Sequence, residues 1–108
     1  MIKSLYKCGV DLIILSLLVE SDHSAAELSA MISERSSGVI EQKIGTLYPI
    51  LFSLEESGYI ISQRAQSGRP KGTMRYHIAP SGIEFLQGML PAYRAYSNAC
   101  LNLLPAIS

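Results

Sequence analysis

Apolar residues recur between Ile44 and Ile61 as Leu47, Ile50, Leu51 and Leu54. This is the i, i+3, i+4, i+7 spacing of a helix that buries one stripe and leaves its other face free. Gly58 suits the position just past the helix end, because glycine takes the left-handed conformation that closes a helix without a Cβ penalty. A strand is then expected from Tyr59. Pro49 lacks an N–H and fits best in the first turn, where that group has no intrahelical partner. The pattern therefore predicts a short helix with Thr46 and Tyr48 at its exposed entrance.

Upstream, Leu5, Tyr6, Val10, Ile13, Ile14, Leu17 and Leu18 make a wide apolar side and predict a first helix over Leu5–Val19. The run Leu12–Leu15 taken alone also reads as a buried strand, which periodicity does not separate from a helix. Glu20–Ser24 is a turn, and Ser24 with Glu27 three residues on is a capping box for a second helix that carries Leu28, Met31 and Ile32 inward. Ser36-Ser37-Gly38 ends that helix, and Val39–Lys43 leads into the one that carries Leu47. Helix, helix, short turn, helix is the pattern of a helix-turn-helix unit.

From Tyr59 the period changes to two. Ile60, Ser62 and Arg64 alternate with Ile61, Gln63 and Ala65; after a turn-rich tip, Gln66–Gly72, Met74, Tyr76 and Ile78 alternate with Thr73, Arg75 and His77. This predicts a two-stranded hairpin, a wing. Ala79-Pro80-Ser81-Gly82 opens a last helix with Pro80 at its first position. From Ile83 to Leu104 the charged residues are Glu84 and Arg94 alone. Leu86, Leu90, Tyr93, Ser97, Cys100 and Leu104 form one apolar seam; Phe85, Met89, Ala92, Tyr96, Ala99 and Leu103 form another. One seam suffices to cover the domain, which leaves the other for a second molecule. Pro91 predicts a kink near Gly88–Leu90. The expected fold class is thus mostly α with a small β-hairpin: a winged helix-turn-helix domain over residues 1–79 and a C-terminal dimerisation helix over residues 80–108, in one compact unit.

The residues Gly45-Thr46-Leu47-Tyr48-Pro49, followed at fixed spacing by Leu51, Leu54, Glu55, Gly58 and Ile60, resemble the recognition-helix signature of the PadR-type winged-helix transcriptional regulators. Gly68-Arg69-Pro70 with Tyr76 resembles the wing pattern of the same family, and a looser resemblance runs from Leu12 to Leu86. It favours a helix over Leu12–Leu15 and implies the small subfamily with a single C-terminal dimerisation helix. Relatives usually have threonine where Ala79 stands, so a side-chain cap worth about 1 kcal/mol is missing here. Many relatives carry basic or polar residues at the positions of Phe52 and Ser53, which lowers the affinity for DNA expected of this chain and favours reading of DNA shape.

Composition modifies this picture in three ways. At 108 residues and 48% hydrophobic, the chain suits one domain that hides part of its surface against another chain. Net charge is zero, so binding to a polyanion rests on a local patch. Such a patch exists: Ser57–Ile83 holds Arg64, Arg69, Lys71 and Arg75 and no Asp or Glu. Cys8 and Cys100 are too far apart in sequence for a CxxC site and read as reduced thiols of a cytoplasmic protein. No secretory leader is expected, and the longest apolar run, Leu12–Val19, is shorter than the roughly 20 residues that span a membrane.

The candidate DNA-binding residues are Lys43, Thr46, Tyr48, Arg64, Arg69, Lys71 and Arg75, cations and hydroxyls suited to phosphate oxygens and base edges. Two readings of Tyr48 stand, phosphate donor or half-buried packing, and an exposed Phe52 is equally compatible with packing under the wing. Phe85, Leu86, Met89, Tyr93, Tyr96 and Leu103 are the candidate dimer interface. Two-fold symmetry would then place two recognition helices about 34–36 Å apart, over a pseudo-palindromic site. The resemblance implies a repressor controlled by a small hydrophobic or phenolic effector, for which a pocket edged by Tyr93 and Tyr96 is the candidate; the alternative is that these tyrosines fill the dimer core. His23 and His77 lack a nucleophile or carboxylate at a defining spacing, Glu55-Glu56 suits a solvated helix end, and Gly68–Gly72 lacks a phosphate-loop ending. No enzyme, cofactor or metal is expected. The rival function is a winged-helix protein-interaction module without DNA binding; a thiol switch at Cys100 is a third.

Overall fold

In a computed structural model, the structure describes residues 2–64 and 74–105, and for residues 2–8 the backbone alone. The elements in chain order are α1 (Ile2–Glu20), α2 (Ala25–Arg35), α3 (Ile44–Glu56), β1 (Ile60–Arg64), β2 (Met74–Ile78) and α4 (Pro80–Leu103).

Val10, Leu12, Ile14, Leu15, Leu17 and Leu18 of α1 are all buried, a spread wider than one helical stripe. The run Leu12–Leu15 is helical, and α1 starts three residues earlier and ends one later than its periodicity predicts. The reason for the breadth is position. α1 packs against α2, α3, β2 and α4, so most of its circumference faces protein.

α2 begins as its sequence dictates. The Ser24 hydroxyl accepts the Glu27 N–H, and the Glu27 carboxylate accepts the Ser24 N–H, which satisfies two donors the helix start leaves open. Ala25, Leu28 and Ile32 are buried, while Met31 is half-buried at the edge of the core. Its end is a Schellman closure: Ser37 N–H donates to Glu34 and Gly38 N–H to Ser33. Ser37 therefore carries φ 54°, a left-handed conformation that costs a non-glycine residue about 1 kcal/mol. The Ser36 hydroxyl accepts from Ile40 N–H and the Ser29 hydroxyl donates to Gln42 O at 2.6 Å, which fix the path of the chain into α3.

α3 differs from expectation at Pro49. The helix starts at Ile44 with Lys43 as N-cap, so Pro49 lies past the first turn rather than in it. It is tolerated because the carbonyl that loses its donor belongs to Gly45, and both residues are exposed to water. Leu47, Leu51 and Leu54 face the core. The end is a second Schellman closure, with Gly58 N–H on Glu55 and Tyr59 N–H on Leu54, and Gly58 takes φ 81°.

β1 and β2 pair antiparallel in the register Ile60↔Ile78, Ser62↔Tyr76, Arg64↔Met74. Ile60, Tyr76 and Ile78 close over the core, whereas Ile61 and His77 are exposed. His23 extends the ladder: Tyr76 N–H donates to His23 O at 2.8 Å and His23 N–H to Tyr76 O at 3.3 Å. The turn between α1 and α2 thus covers the free edge of β2.

Ala79 caps α4 without a side-chain bond, and Pro80 follows at the helix start. Gly82 is buried where α4 crosses the chain at Tyr59, and one turn later Phe85 stacks on Tyr59 with ring centroids 4.4 Å apart. Pro91 does not interrupt α4, which runs unbroken from Pro80 to Leu103; Gln87, whose carbonyl loses its donor, is on the exposed side. Leu86 joins the same core as Leu15, Leu51 and Ile78. Beyond it the exposed apolar residues accumulate, and the molecule is elongated at 54 × 28 × 22 Å.

Candidate nucleic-acid interface

With Leu47, Leu51 and Leu54 committed to the core, the helical period turns Gly45, Tyr48, Pro49, Phe52, Ser53 and Glu56 outward. Lys43 and Thr46 are exposed at the N-terminal entrance, where unpaired N–H groups and the helix dipole already favour an anion. Tyr48 is 50% exposed, between the two readings its position allowed. In the wing, the buried Tyr76 phenol is pushed up chiefly by burial, and secondarily by Tyr48 and Glu55 of α3. Phe52 is 63% exposed. The Ser62 hydroxyl donates to Glu55 Oε2 at 2.8 Å, which ties β1 to the end of α3. Arg64 is exposed at the outer end of β1.

Arg75 has a different environment. Strand alternation places it on the face of β2 that meets the turn between α1 and α2. Its guanidinium donates to Asp22 O at 2.7 Å and to Glu27 Oε2 at 3.4 Å. His77 Nδ1 is 2.8 Å from Asp22 Oδ1, and His23 Nδ1 is 3.3 Å from Glu27 Oε1. Glu27 is therefore a junction of capping box and wing. Its carboxyl is held below the usual range, first by the Ser24 N–H, which outweighs the opposing effect of burial, and further by His23 and Arg75. Arg75 stitches the wing to the body rather than standing beside Thr46 and Tyr48. Nothing in the alternation alone reveals this, because the partner segment lies about 50 residues away in sequence. Arg69 and Lys71 lie outside the described residues.

The candidate interface residues of α4 divide. Leu86 is 6% exposed in the protomer's own core and Phe85 is half-buried on Tyr59, so these two serve the fold. One seam was expected to cover the domain and the other to meet a second molecule, but near the helix crossing at Gly82 a residue of each turns toward the body. Met89, Tyr93, Tyr96 and Leu103 are exposed, Tyr96 at 61%. Tyr93 also lines an open, mainly apolar groove of about 360 Å³ walled by Leu12, Ile13 and Leu17 of α1, Met31 and Ile32 of α2, and Leu90 of α4. The Tyr93 ring closes one end over Gly9, and the Glu20–Arg35 pair stands at its rim with both guanidinium nitrogens engaged, at 2.7 and 2.8 Å. Arg35 holds the Glu20 carboxyl below its usual range through that hydrogen bond. Tyr96 is not among the residues that line the groove. Sequence reading missed the groove because its walls come from three elements.

Cys100 is half-buried and the Cys8 side chain lies outside the described residues. Among the described residues, no group of His, Cys, Asp and Glu is arranged to hold a metal ion, and no helix is long and apolar enough to cross a membrane.

Residues 14–88 match the family described as Transcriptional regulator PadR-like. The chain belongs to this PadR-like family. It is a winged-helix transcriptional regulator and not an enzyme. No curated protein matches the chain. Among solved structures, a transcriptional regulator from Clostridium thermocellum is 28% identical with a TM-score of 0.84, over 94% of this chain and 96% of that one. A putative transcriptional regulator from Thermoplasma acidophilum shares the fold at 24% identity and a TM-score of 0.81, covering 98% and 99% of the two chains. Bacillus subtilis PadR, solved in complex with operator DNA, shares it at 24% identity and a TM-score of 0.67, over 74% of this chain and 45% of that one. The match runs from Ile14 in α1 to Gly88 in α4, so it includes the recognition helix, the wing and the start of α4.

Proposed function

We propose that this PadR-like regulator is a cytoplasmic, homodimeric repressor that binds a pseudo-palindromic operator in double-stranded DNA and is released by a small hydrophobic or phenolic effector. The observation that carries the DNA reading is the outward surface of α3. Lys43, Thr46 and Tyr48 are exposed together at its entrance, with Arg64 exposed on the adjoining strand. Cations and hydroxyls in that order suit phosphate contacts that seat a helix in a major groove, with the wing along its edge. The Bacillus subtilis relative solved with operator DNA has the same fold, which adds support. Residues 69 and 71 extend the cationic wing in the sequence.

Dimerisation rests on α4. Met89, Leu101, Leu103 and Leu104 are large apolar residues exposed along it and at its end, and a second copy covers them. In this arrangement residues 1–79 bind DNA and residues 80–108 pair the protomers. The effector enters the groove beside Tyr93, where the apolar walls suit a small hydrophobic or phenolic molecule, and its presence changes how α4 sits on α1.

Fluorescence anisotropy on the chain's own upstream DNA and on a scrambled duplex, over a salt series, tests the core of the reading. Tight selective binding with a steep salt slope is expected. Equal weak binding to both duplexes, or none, favours the protein-interaction module instead. Sedimentation equilibrium of Tyr96→Asp should give monomers; a persistent dimer removes α4 as the interface. A panel of phenolics and hydrophobic cations that changes neither melting temperature nor operator affinity refutes the effector.

A further inference from the structure

The recognition helix lacks the side chains that most often read bases. From Ile44 to Glu56 it contains no Arg, Lys, Asn or Gln, so it offers no bidentate partner for guanine or adenine edges. Its outward face instead presents the rings of Phe52 and Tyr48, the apolar Pro49, and the hydroxyls of Thr46 and Ser53. Of the outward carboxylates, Glu55 already accepts from Ser62, and Glu56 sits in the last turn, away from the entrance. Phe52 is 63% exposed in a position that the fold does not use.

An aromatic face with cations at its margins matches one feature of the major groove. Thymine carries the only apolar group displayed there, the 5-methyl, and the flanking phosphates meet Lys43 and Arg64. We infer that this α3 face reads thymine 5-methyl groups, with Phe52 as the specificity-determining residue, Pro49 beside it, and Thr46 and Tyr48 setting the register on the backbone. This rests on the DNA-binding reading above. It commits that apolar surface to duplex DNA rather than to a protein partner, and it implies an operator with thymines beneath the middle of α3. Methyl contacts discriminate less than bidentate hydrogen bonds, so selectivity comes from several of them together with the phosphate contacts.

The experiment replaces thymine by uracil, which removes the methyl and leaves base pairing intact. The operator is first located by footprinting the upstream DNA with the full chain, and each thymine in the protected half-sites is then substituted singly. For every methyl that Phe52 or Pro49 covers, affinity should fall about fourfold, the effect of one buried methyl-sized apolar group. At the thymines that Phe52 covers, Phe52→Ala should bind the thymine operator as weakly as the wild type binds the uracil one, and should no longer distinguish the two there, since a shared contact is lost only once. Its melting temperature, expected near that of the wild type because Phe52 is exposed, shows that the variant is folded; Phe52→Leu should keep part of the thymine preference. Selective binding that is indifferent to uracil at every position overturns the methyl reading and leaves DNA recognition standing. Absence of any protected site overturns both.

Discussion

Gly82 and Gly88 lie two turns apart on α4, and the same substitution should act on them with opposite sign. At Gly82 an added Cβ would run into the Tyr59 carbonyl oxygen and stand 2.9 Å from Ile78 Cγ1. The obstacle is backbone, and it is pinned: Tyr59 O accepts the Ala79 N–H at 2.9 Å, and the neighbouring Gly58 O accepts the Ser81 hydroxyl at 2.6 Å. α4 must therefore lift off β1 and the Tyr59–Phe85 stack must open. Overpacking of this kind costs about 1–3 kcal/mol, and a collision with backbone belongs at the upper end. Alanine returns up to about 1 kcal/mol of helix propensity, so Gly82→Ala should destabilise by about 2 kcal/mol. At Gly88 nothing lies within 4 Å of the added Cβ, and Gly88→Ala should stabilise by about 0.5–1 kcal/mol. Urea unfolding followed by circular dichroism, at one fixed protein concentration because a dimer's stability depends on it, measures both. For a chain of this size, 1 kcal/mol corresponds to about 4–8 °C in Tm. A neutral or stabilising Gly82→Ala would refute the docking of α4 on Tyr59, and with it the geometry that carries the proposed dimer helix.

Three further outcomes follow from the site. Lys43→Gln should lower the salt slope of operator binding by about one unit, whereas Arg75→Gln should leave the slope unchanged and cost up to about 1 kcal/mol of stability, because Arg75 is spent on Asp22 and Glu27; an equal slope change for both would place Arg75 on the DNA. Glu27 has a folded-state pKa below its ordinary 4.5, so its contribution is fully present above that value and is lost as pH falls through the lower folded value. Glu27→Gln should thus be less stable than wild type at neutral pH and converge with it in acid; a gap that persists in acid assigns the effect to packing. Gly9→Ala should leave stability nearly unchanged, since the 2.8 Å contact it creates is with the far end of the Tyr93 side chain, but should weaken binding of a phenolic effector in the groove by isothermal calorimetry. An unaltered affinity would place the effector elsewhere.

Most elements were legible because their signals are local. The Ser24–Glu27 capping box, the Gly58 helix stop, the change from a helical period to a period of two at Tyr59, and the Pro80 helix start each rest on residues within a turn of one another. The Gly45–Pro49 run carries the resemblance to the family in adjacent residues, and its exposed face follows from the burial of Leu47, Leu51 and Leu54. Pro49 was misplaced for one reason. A proline inside a helix is costly when the carbonyl it strands is buried, and only the folded chain shows that Gly45 faces water.

The residues whose surroundings sequence pattern did not reveal are those whose partners are distant in the chain. Arg75 alternates like a solvent-facing wing residue, yet Asp22 of the turn after α1 and Glu27 of α2 come to it. Phe85 and Leu86 sit on two apolar seams of equal appearance, and the Gly82 crossing decides that both turn inward while Tyr96 and Leu103 do not. The Tyr93 groove exists only where α1, α2 and α4 meet. Thus the sequence by itself determined the elements, their caps and the family, because hydrogen bonds and apolar periods within a helix or hairpin involve near neighbours. Tertiary structure alone decided which cations remain free for a partner and which apolar face remains uncovered, because those depend on what the rest of the chain has already paired or buried.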